Sequence, residues 1–163
     1  FPEDGRVTLK FAAARRLRMS LRLRMPGWCA ADVPVAVNGR DEGVGRPGSY
    51  LTLDRVWANA DTVAFRLPLT FRAHKYEGEA EVPEGERYAI FYGPLLLACV
   101  GSQDIKLPVR IGQEPKDPSA WLAADAQDPL CFHVLGDDHR RFIPYWRIGH
   151  AQTFTCYPAL GKR

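Results

Sequence analysis

Several features that identify common protein classes are missing from this sequence of 163 residues. Every apolar run falls short of the ~18 residues that a helix needs to cross a bilayer. The first residues show no charged segment followed by an apolar one, so a secretory signal is not predicted. The formal net charge is only +3, too small to predict nucleic-acid binding. We therefore expect neither a membrane nor a nucleic acid as a partner.

Cysteines are few and far apart, at Cys29, Cys99, Cys131 and Cys156. No Cys-x-x-Cys motif occurs, so neither a zinc ribbon nor a redox motif is predicted. A chain of this length with 46% hydrophobic residues can build a core without disulfides. We expect free, mostly buried thiols, with two disulfides in any of three pairings as the alternative. We expect a soluble protein and, among compartments, favour the cytoplasm.

Helical periodicity is also missing, and alternation takes its place. No stretch of ten or more residues repeats its apolar positions every 3.6 residues. Residues 17–25 instead alternate apolar and polar side chains until Pro26-Gly27-Trp28. Short strands separated by Gly, Pro and Asn turns are typical of sandwiches. We predict an all-β protein with an antiparallel β-sandwich of jelly-roll or immunoglobulin-like type.

Turn signals divide this pattern. Asn38-Gly39 predicts a hairpin after a strand at residues 33–37. Residues 40–49 carry three glycines and a proline and are predicted to be a loop. One strand is predicted through residues 62–71, and one helical turn at 121–126. The polar stretch 75–85 predicts a boundary between two small sandwich units, residues 1–85 and residues 86–163.

Acidic residues form no recognisable catalytic pair. A glycosidase needs two facing carboxylates, but the candidates lie beside turns, where Asp favours local backbone hydrogen bonds. These candidates are Asp41, Glu42, Asp54, Asp61, Asp137 and Asp138. Nucleophile and phosphate-loop motifs are missing too, since no Gly-x-Ser-x-Gly occurs and no Gly-x-Gly-x-x-Gly opens a helix after a strand. We predict no catalytic residue in this chain.

One pair of potential metal ligands deserves a test. On a strand, Cys131 and His133 would share a face, and His139 could approach them across the next turn. A lone pair two residues apart is a weak indication of a metal site. We therefore predict a packed Cys131, a half-exposed His133 and no metal.

Aromatic and basic residues offer interaction surfaces. Five aromatic residues near strand ends or loops could stack on a sugar or form an interface, with burial in the core as the competing interpretation: Trp28, Tyr50, Trp57, Tyr145 and Trp146. The outer face of the strand at 17–25 carries Arg18, Arg22 and Arg24. Solvation of this basic face is the simpler interpretation, and binding to an acidic partner is the alternative.

An ordered set of motifs adds a family resemblance. The motifs are LRLRMPGW at 21–28, VAVNG at 35–39, GSYLTLDRVW at 48–57, DTVAFRLPL at 61–69, YAIFYGPL at 88–95 and FIPYW at 142–146. In this order they resemble the C-terminal β-sandwich region of glycoside hydrolase family 127, the β-L-arabinofuranosidase-like enzymes. The chain departs from the pattern at Asn59-Ala60-Asp61, where the family has Gly before Asp.

The resemblance implies a supporting role. In the family, an upstream (α/α)6 barrel holds a zinc site and a cysteine nucleophile, in a segment with an adjacent Cys-Cys pair that this chain lacks. No catalytic residue and no cofactor is therefore carried over to this chain. The start at Phe1 rather than Met leads us to expect a processed product, a cut piece or a fragment of a longer protein.

The implied partner is the barrel of the same protein, with a homodimer contact or a carbohydrate as further partners. We expect an exposed apolar patch larger than the few hundred Å² usual for monomers. Two other functions remain open: a stand-alone carbohydrate-binding module, and a basic sandwich that binds an acidic protein. A carbohydrate-binding module would present two or more coplanar exposed rings near a polar groove.

Overall fold

The computed structural model describes residues 1–78, 85–101 and 107–162. Nearly all of its regular structure is β: β1 (Arg6–Lys10), β2 (Leu17–Arg24), β3 (Val33–Val37), β4 (Arg40–Gly45), β5 (Tyr50–Trp57), β6 (Thr62–Arg66), β7 (Phe71–Lys75), β8 (Glu86–Tyr92), β9 (Leu95–Gly101), β10 (Val109–Ile111), β11 (Leu122–Ala124), β12 (Phe132–Val134), β13 (Asp137–Pro144), β14 (Phe154–Thr155) and β15 (Ala159–Lys162). Short 3₁₀ helices lie at Pro118–Ala120 and Tyr145–Arg147. Among the described residues, no helix is long and apolar enough to span a membrane. The contacts divide the chain into two compact units, Phe1–Thr70 and Phe71–Arg163.

The first unit is a small antiparallel sandwich. One sheet has the strand order β1-β6-β3-β4, and the other consists of β2 and β5. Inward residues of both sheets form one core, in which Met25, Val33, Val35 and Val63 are fully buried. Burying such side chains contributes roughly 1.5–3 kcal/mol each. The predicted sandwich is confirmed for this unit.

Strand β2 shows the predicted alternation, with burial increasing along the strand. Leu17 is 53% exposed, Met19 and Leu21 are half-buried, and Leu23 is only 5% exposed. The arginines between them are exposed. The apolar face therefore enters the core at its C-terminal end, where Met25 follows with no exposed surface.

The hairpin predicted at Asn38-Gly39 joins β3 to β4. Both turn residues have positive φ, 51° at Asn38 and 76° at Gly39, as the favoured two-residue hairpin turn requires.

The loop predicted for residues 40–49 was wrong, because Arg40–Gly45 is strand β4. Gly43 and Gly45 lie opposite Val35 and Val33 in that strand.

The second unit is built on one extended sheet of nine strands. Its main order is β10-β15-β8-β9-β13-β12-β11, with β14 on β9 and β7 on β8. All pairs are antiparallel except β10 with β15. Strand β8 pairs with β9 through Ile90–Tyr92 and with β15 through Glu86 and Arg87. Core residues from strands at both ends of the order form one cluster, so the sheet curves around it: Ile111, Trp121, Phe132, Phe142 and Leu160.

Two further local predictions differ from the structure. The strand predicted through 62–71 ends as β6 at Arg66. Leu67 still donates its N–H to the Gly5 carbonyl at 2.8 Å, and Pro68 then has no N–H with which to continue the pairing. The helical turn predicted at 121–126 is strand β11, which pairs with β12. Here the apolar pair Trp121-Leu122 is buried against the second core.

The unit boundary lies earlier than the sequence pattern placed it. Strand β7 pairs with β8 over five residues, from Phe71 opposite Tyr92 to Lys75 opposite Tyr88. That pairing groups residues 71–75 with the second unit. Residues 79–84 of the predicted linker lie outside the described part of the chain. The division at 85/86 therefore stays a prediction about independent folding.

Candidate functional site

The tryptophans of the first unit lie in or beside its core. Trp57 is 1% exposed, stacks on Phe11 with ring centroids 4.2 Å apart, and donates its Nε1–H to the Met19 carbonyl at 2.9 Å. Trp28 is half-buried, and its ring centroid lies 6.3 Å from that of Phe1. Trp57 therefore offers no free ring face within this chain.

The predicted basic face lies on the outer side of β2 and β5. Arg18 forms an ion pair with Asp54 at 3.1 Å. The guanidinium of Arg22 lies over the ring of Tyr50, 4.7 Å from its centroid, and Tyr50 is 54% exposed. Arg24 is exposed opposite Tyr50. The three arginines and Tyr50 thus share one surface, and its role as an interface stays a prediction.

The exposed aromatic residues of the second unit are Tyr145 and Trp146 in the last 3₁₀ helix. They are 54% and 51% exposed, with ring centroids 6.1 Å apart and planes at 83°. Sugar-stacking platforms need rings that present coplanar faces. Among the aromatic pairs of the described residues, the nearly parallel one is Phe11 with the buried Trp57, and these two rings stack on each other rather than lie side by side in one plane.

His133 is bound to a carboxylate. Its Nε2 lies 2.8 Å from Oδ2 of Asp125, across the β11–β12 hairpin. Cys131 is buried just before β12, as expected for a packed thiol. His139 lies on β13 and lines a neighbouring hollow with His133 and Asp138. In the described ranges, no three His, Cys, Asp or Glu side chains come together as a set of metal ligands.

The acidic candidates serve local structure in both units. Asp61 accepts hydrogen bonds from the Ala58 N–H at 2.7 Å and the Asn38 side chain at 2.8 Å. These bonds lower the pKa of its carboxyl. Glu42 lies 3.4 Å from Arg55, and Asp137 accepts the His139 N–H at 3.0 Å. The lowered pKa of Asp61 is the opposite of the raised pKa that a general acid needs.

A polar cavity on the second unit was not predicted. It measures about 360 Å³ and is lined by Asp125, Gln127, Asp128, Cys131, Arg141, Ile143 and Arg147. Arg141 is opposite both His133 on β12 and Val100 on β9, so the three residues share the face turned away from the main core. A separate apolar cluster of Val100, Cys131 and Ile143 lies on this face. The pairing of β12 with β13 brings the cavity residues together, and the pairing of β13 with β9 adds Val100.

The carboxylates of the cavity are held by hydrogen bonds. Asp125 accepts the Gln127 and Asp128 N–H groups at 2.8 and 3.0 Å in addition to His133. The bond to His133 and then these backbone bonds lower the pKa of Asp125 to about 2. Asp128 accepts the Leu130 N–H at 3.1 Å, and both its oxygens lie 2.8 Å from the same Arg147 nitrogen. The one sequence pattern that could have indicated these cavity carboxylates is the Asp-x-x-Asp spacing of Asp125 and Asp128, which also fits an ordinary turn.

The four free thiols are not activated. Burial raises the pKa of Cys29, Cys131 and Cys156, and raises that of Cys99 to about 12. A nucleophilic cysteine needs a lowered pKa, because the thiolate is the reactive form. The thiols of this chain therefore have the electrostatics of packed side chains.

Solved structures of other proteins contain a fold similar to that of this chain. A GH127 β-L-arabinofuranosidase from Geobacillus stearothermophilus T6 superposes with a TM-score of 0.66 at 20% identity, over 100% of this chain and 29% of that one. A protein described as a glycoside hydrolase gives 0.63 at 18%, over 99% and 31%. A GH127 β-arabinofuranosidase gives 0.62 at 19%, over 100% and 32%. This chain thus spans less than a third of the length of each of them.

The sequence comparisons refine the family assignment. No curated protein matches the chain. Residues 1–69 match the family model described as the middle domain of GH127 β-L-arabinofuranosidase. This match corrects the prediction that the chain resembles the C-terminal region of those enzymes, because residues 1–69 match their middle domain instead. Residues 1–69, which make up nearly all of the first unit, are thus similar to the GH127 middle domain.

Proposed function

We propose that this chain is a non-catalytic β-sandwich module that supports and docks the catalytic domain of a glycoside hydrolase resembling β-L-arabinofuranosidases. The observation that carries the proposal is the share of each enzyme's length that this fold covers. Two named GH127 enzymes contain this fold as 29–32% of their length, and the fold covers the whole of this chain. The remaining two thirds of such an enzyme leave room for a separate catalytic domain.

The chemistry of the side chains supports a non-catalytic role. Burial raises the pKa of all four thiols. Four of the carboxyls named as acid candidates make turn contacts or ion pairs, namely Glu42, Asp54, Asp61 and Asp137. Acyl- or glycosyl-transfer chemistry needs an activated nucleophile or a tuned acid. We propose that the zinc-dependent chemistry of the family belongs to an upstream (α/α)6 barrel of the same protein.

The exposed apolar residues are proposed as the docking surfaces, or as a homodimer contact. On the second unit, Tyr76 and Tyr157 are 42% and 44% exposed with ring centroids 5.6 Å apart, and Tyr145 and Trp146 are exposed elsewhere. Large aromatic residues are enriched where interfaces are buried. The exposed rings do not favour the alternative of a stand-alone carbohydrate-binding module, because Tyr145 and Trp146 are nearly perpendicular.

The test compares this chain with the product of its full reading frame. We expect the 163-residue chain to release no nitrophenol from p-nitrophenyl β-L-arabinofuranoside above a heat-denatured control. We expect the full product to hydrolyse it, and deletion of residues 1–163 to lower its melting temperature. Hydrolysis by the chain alone that disappears in a single Cys→Ser variant would contradict the proposal.

A further inference from the structure

We propose that the cavity beside β12 and β13 is a binding site for a small ligand that carries a carboxylate. It lies wholly within the second unit, and the inference does not depend on the function proposed above. The cavity volume of about 360 Å³ is within the range of small-molecule sites.

The hydrogen-bond inventory of the cavity decides the ligand chemistry. Two carboxylates and two guanidiniums line it, so formal charge does not by itself select a ligand. The carboxylates are engaged: Asp125 by His133 and two backbone N–H groups, and Asp128 by Arg147 and one backbone N–H. The acceptors of the wall are thus mostly used within the protein.

The donors of the wall are not used up. The side chain of Arg141 makes no hydrogen bond or ion pair within the described ranges, and its guanidinium has five N–H donors. Arg147 uses one of its terminal nitrogens for Asp128. The side-chain amide of Gln127 likewise has no partner in the described part of the chain. The cavity therefore has unpaired hydrogen-bond donors, whereas most of its acceptors are already hydrogen-bonded. Such a lining favours a ligand that is rich in hydrogen-bond acceptors.

The geometry of the donors favours a carboxylate. A guanidinium presents parallel N–H groups that match the two oxygens of a carboxylate. Arg141 is held on a central strand, between β12 and β9, so its backbone is fixed from both sides. The apolar cluster of Val100, Cys131 and Ile143 lies on the same face and gives the non-polar part of a ligand a surface to contact.

The experiment is an NMR titration of the full chain with three probes at constant ionic strength: sodium acetate, sodium galacturonate and neutral galactose. We expect both carboxylates to shift the amide signals of residues 125–131 and 141, and galactose to shift none of them. Equal shifts with galactose would overturn the proposal, because they would show recognition of hydroxyls.

Variants locate the site. Arg141→Ala should weaken galacturonate binding at least about tenfold, as expected for losing a charge-assisted bidentate contact. Arg141→Lys keeps the charge but not the fork, and should give an intermediate affinity. Lys116→Ala, which removes an exposed cation of the same unit outside the cavity, should leave binding unchanged. Unchanged affinity in Arg141→Ala, with a spectrum that shows an intact fold, would overturn the proposal.

Discussion

At the scale of single residues, the pair of Asp125 and His133 shows how strongly local contacts tune a carboxyl. Asp125 lies in the turn between β11 and β12, and His133 lies on β12. Their side chains meet at 2.8 Å because the hairpin register places Ala124 opposite Phe132. The sequence pattern predicts the half-exposed strand face on which His133 lies, but it does not indicate a partner eight residues away.

This pair makes a pH prediction. The pKa of Asp125 is lowered from 3.8 to about 2 in the folded chain. A lowered folded pKa means that the stabilisation is present above about pH 4 and is lost as the pH falls toward 2. We expect a carbon-detected NMR titration to give an Asp125 midpoint near 2, and a midpoint closer to 3.8 in His133→Ala.

The control for this titration is Asp61. Hydrogen bonds from Ala58 and Asn38 in the first unit lower the pKa of its carboxyl, and it lies outside the His133 contact. Its midpoint should be the same in the wild type and in His133→Ala. A midpoint of Asp125 that does not move in His133→Ala would show that the two backbone N–H bonds alone lower its pKa.

At the scale of elements, β4 is a strand whose glycines predict a loop. Its inward positions opposite Val33 and Val35 are Gly45 and Gly43, so the strand carries no apolar alternation there. The space that a side chain would fill at Gly45 is occupied by Met25. Glycine at position 45 thus allows the Met25 side chain to pack close to the backbone of β4. In the sequence alone, the same glycines predict a series of turns.

A pair of substitutions tests this account. A Cβ at position 45 would overlap the side chain of the fully buried Met25, so Gly45→Ala should destabilise the chain by about 1–3 kcal/mol. A Cβ at position 43 would meet Leu51 at an ordinary 3.4 Å. Gly43→Ala should therefore change the free energy of unfolding by less than about 0.5 kcal/mol. Urea denaturation followed by tryptophan fluorescence measures both, and equal effects would refute the packing explanation.

At the scale of the whole molecule, the two compact units predict where the chain can be divided. Strand β7 pairs with β8, and the Phe71 ring lies 4.9 Å from Phe132 and 5.0 Å from Tyr92 in the second core. Removing residues 71–85 from the second unit would therefore remove a strand and a packed aromatic side chain. A fragment of 71–163 should be more stable than one of 86–163 by at least about 3 kcal/mol.

The matching comparison uses the first unit. All strands of residues 1–70 pair with one another, so this fragment should fold and show dispersed amide signals in NMR. Extending it to residue 85 should add no stability, because β7 has no partner there. Equal denaturation midpoints for 71–163 and 86–163 would support the boundary at residue 85 that the sequence pattern predicts.

Local pattern was sufficient for the strands whose inward residues are apolar and for the turn at Asn38-Gly39. The alternation of apolar and polar residues depends on the period of a single strand, and a positive-φ turn depends on two adjacent residues. Both can therefore be predicted from residues that are neighbours in the sequence. The β class, the sandwich of the first unit and the family resemblance follow from such signals. The resemblance nevertheless named the wrong part of the family's enzymes, since its motifs do not record domain order.

Features that join distant residues required the folded molecule. The β10–β15 pair, the contact between Gly45 and Met25 and the cavity around Arg141 each depend on tertiary contacts between residues that are not neighbours in the sequence. Trp57 and Tyr50 lie on the same strand and looked equally available, yet one is 1% and the other 54% exposed. The reason is physical: a strand offers two faces at every step, and which face is buried depends on what packs against it.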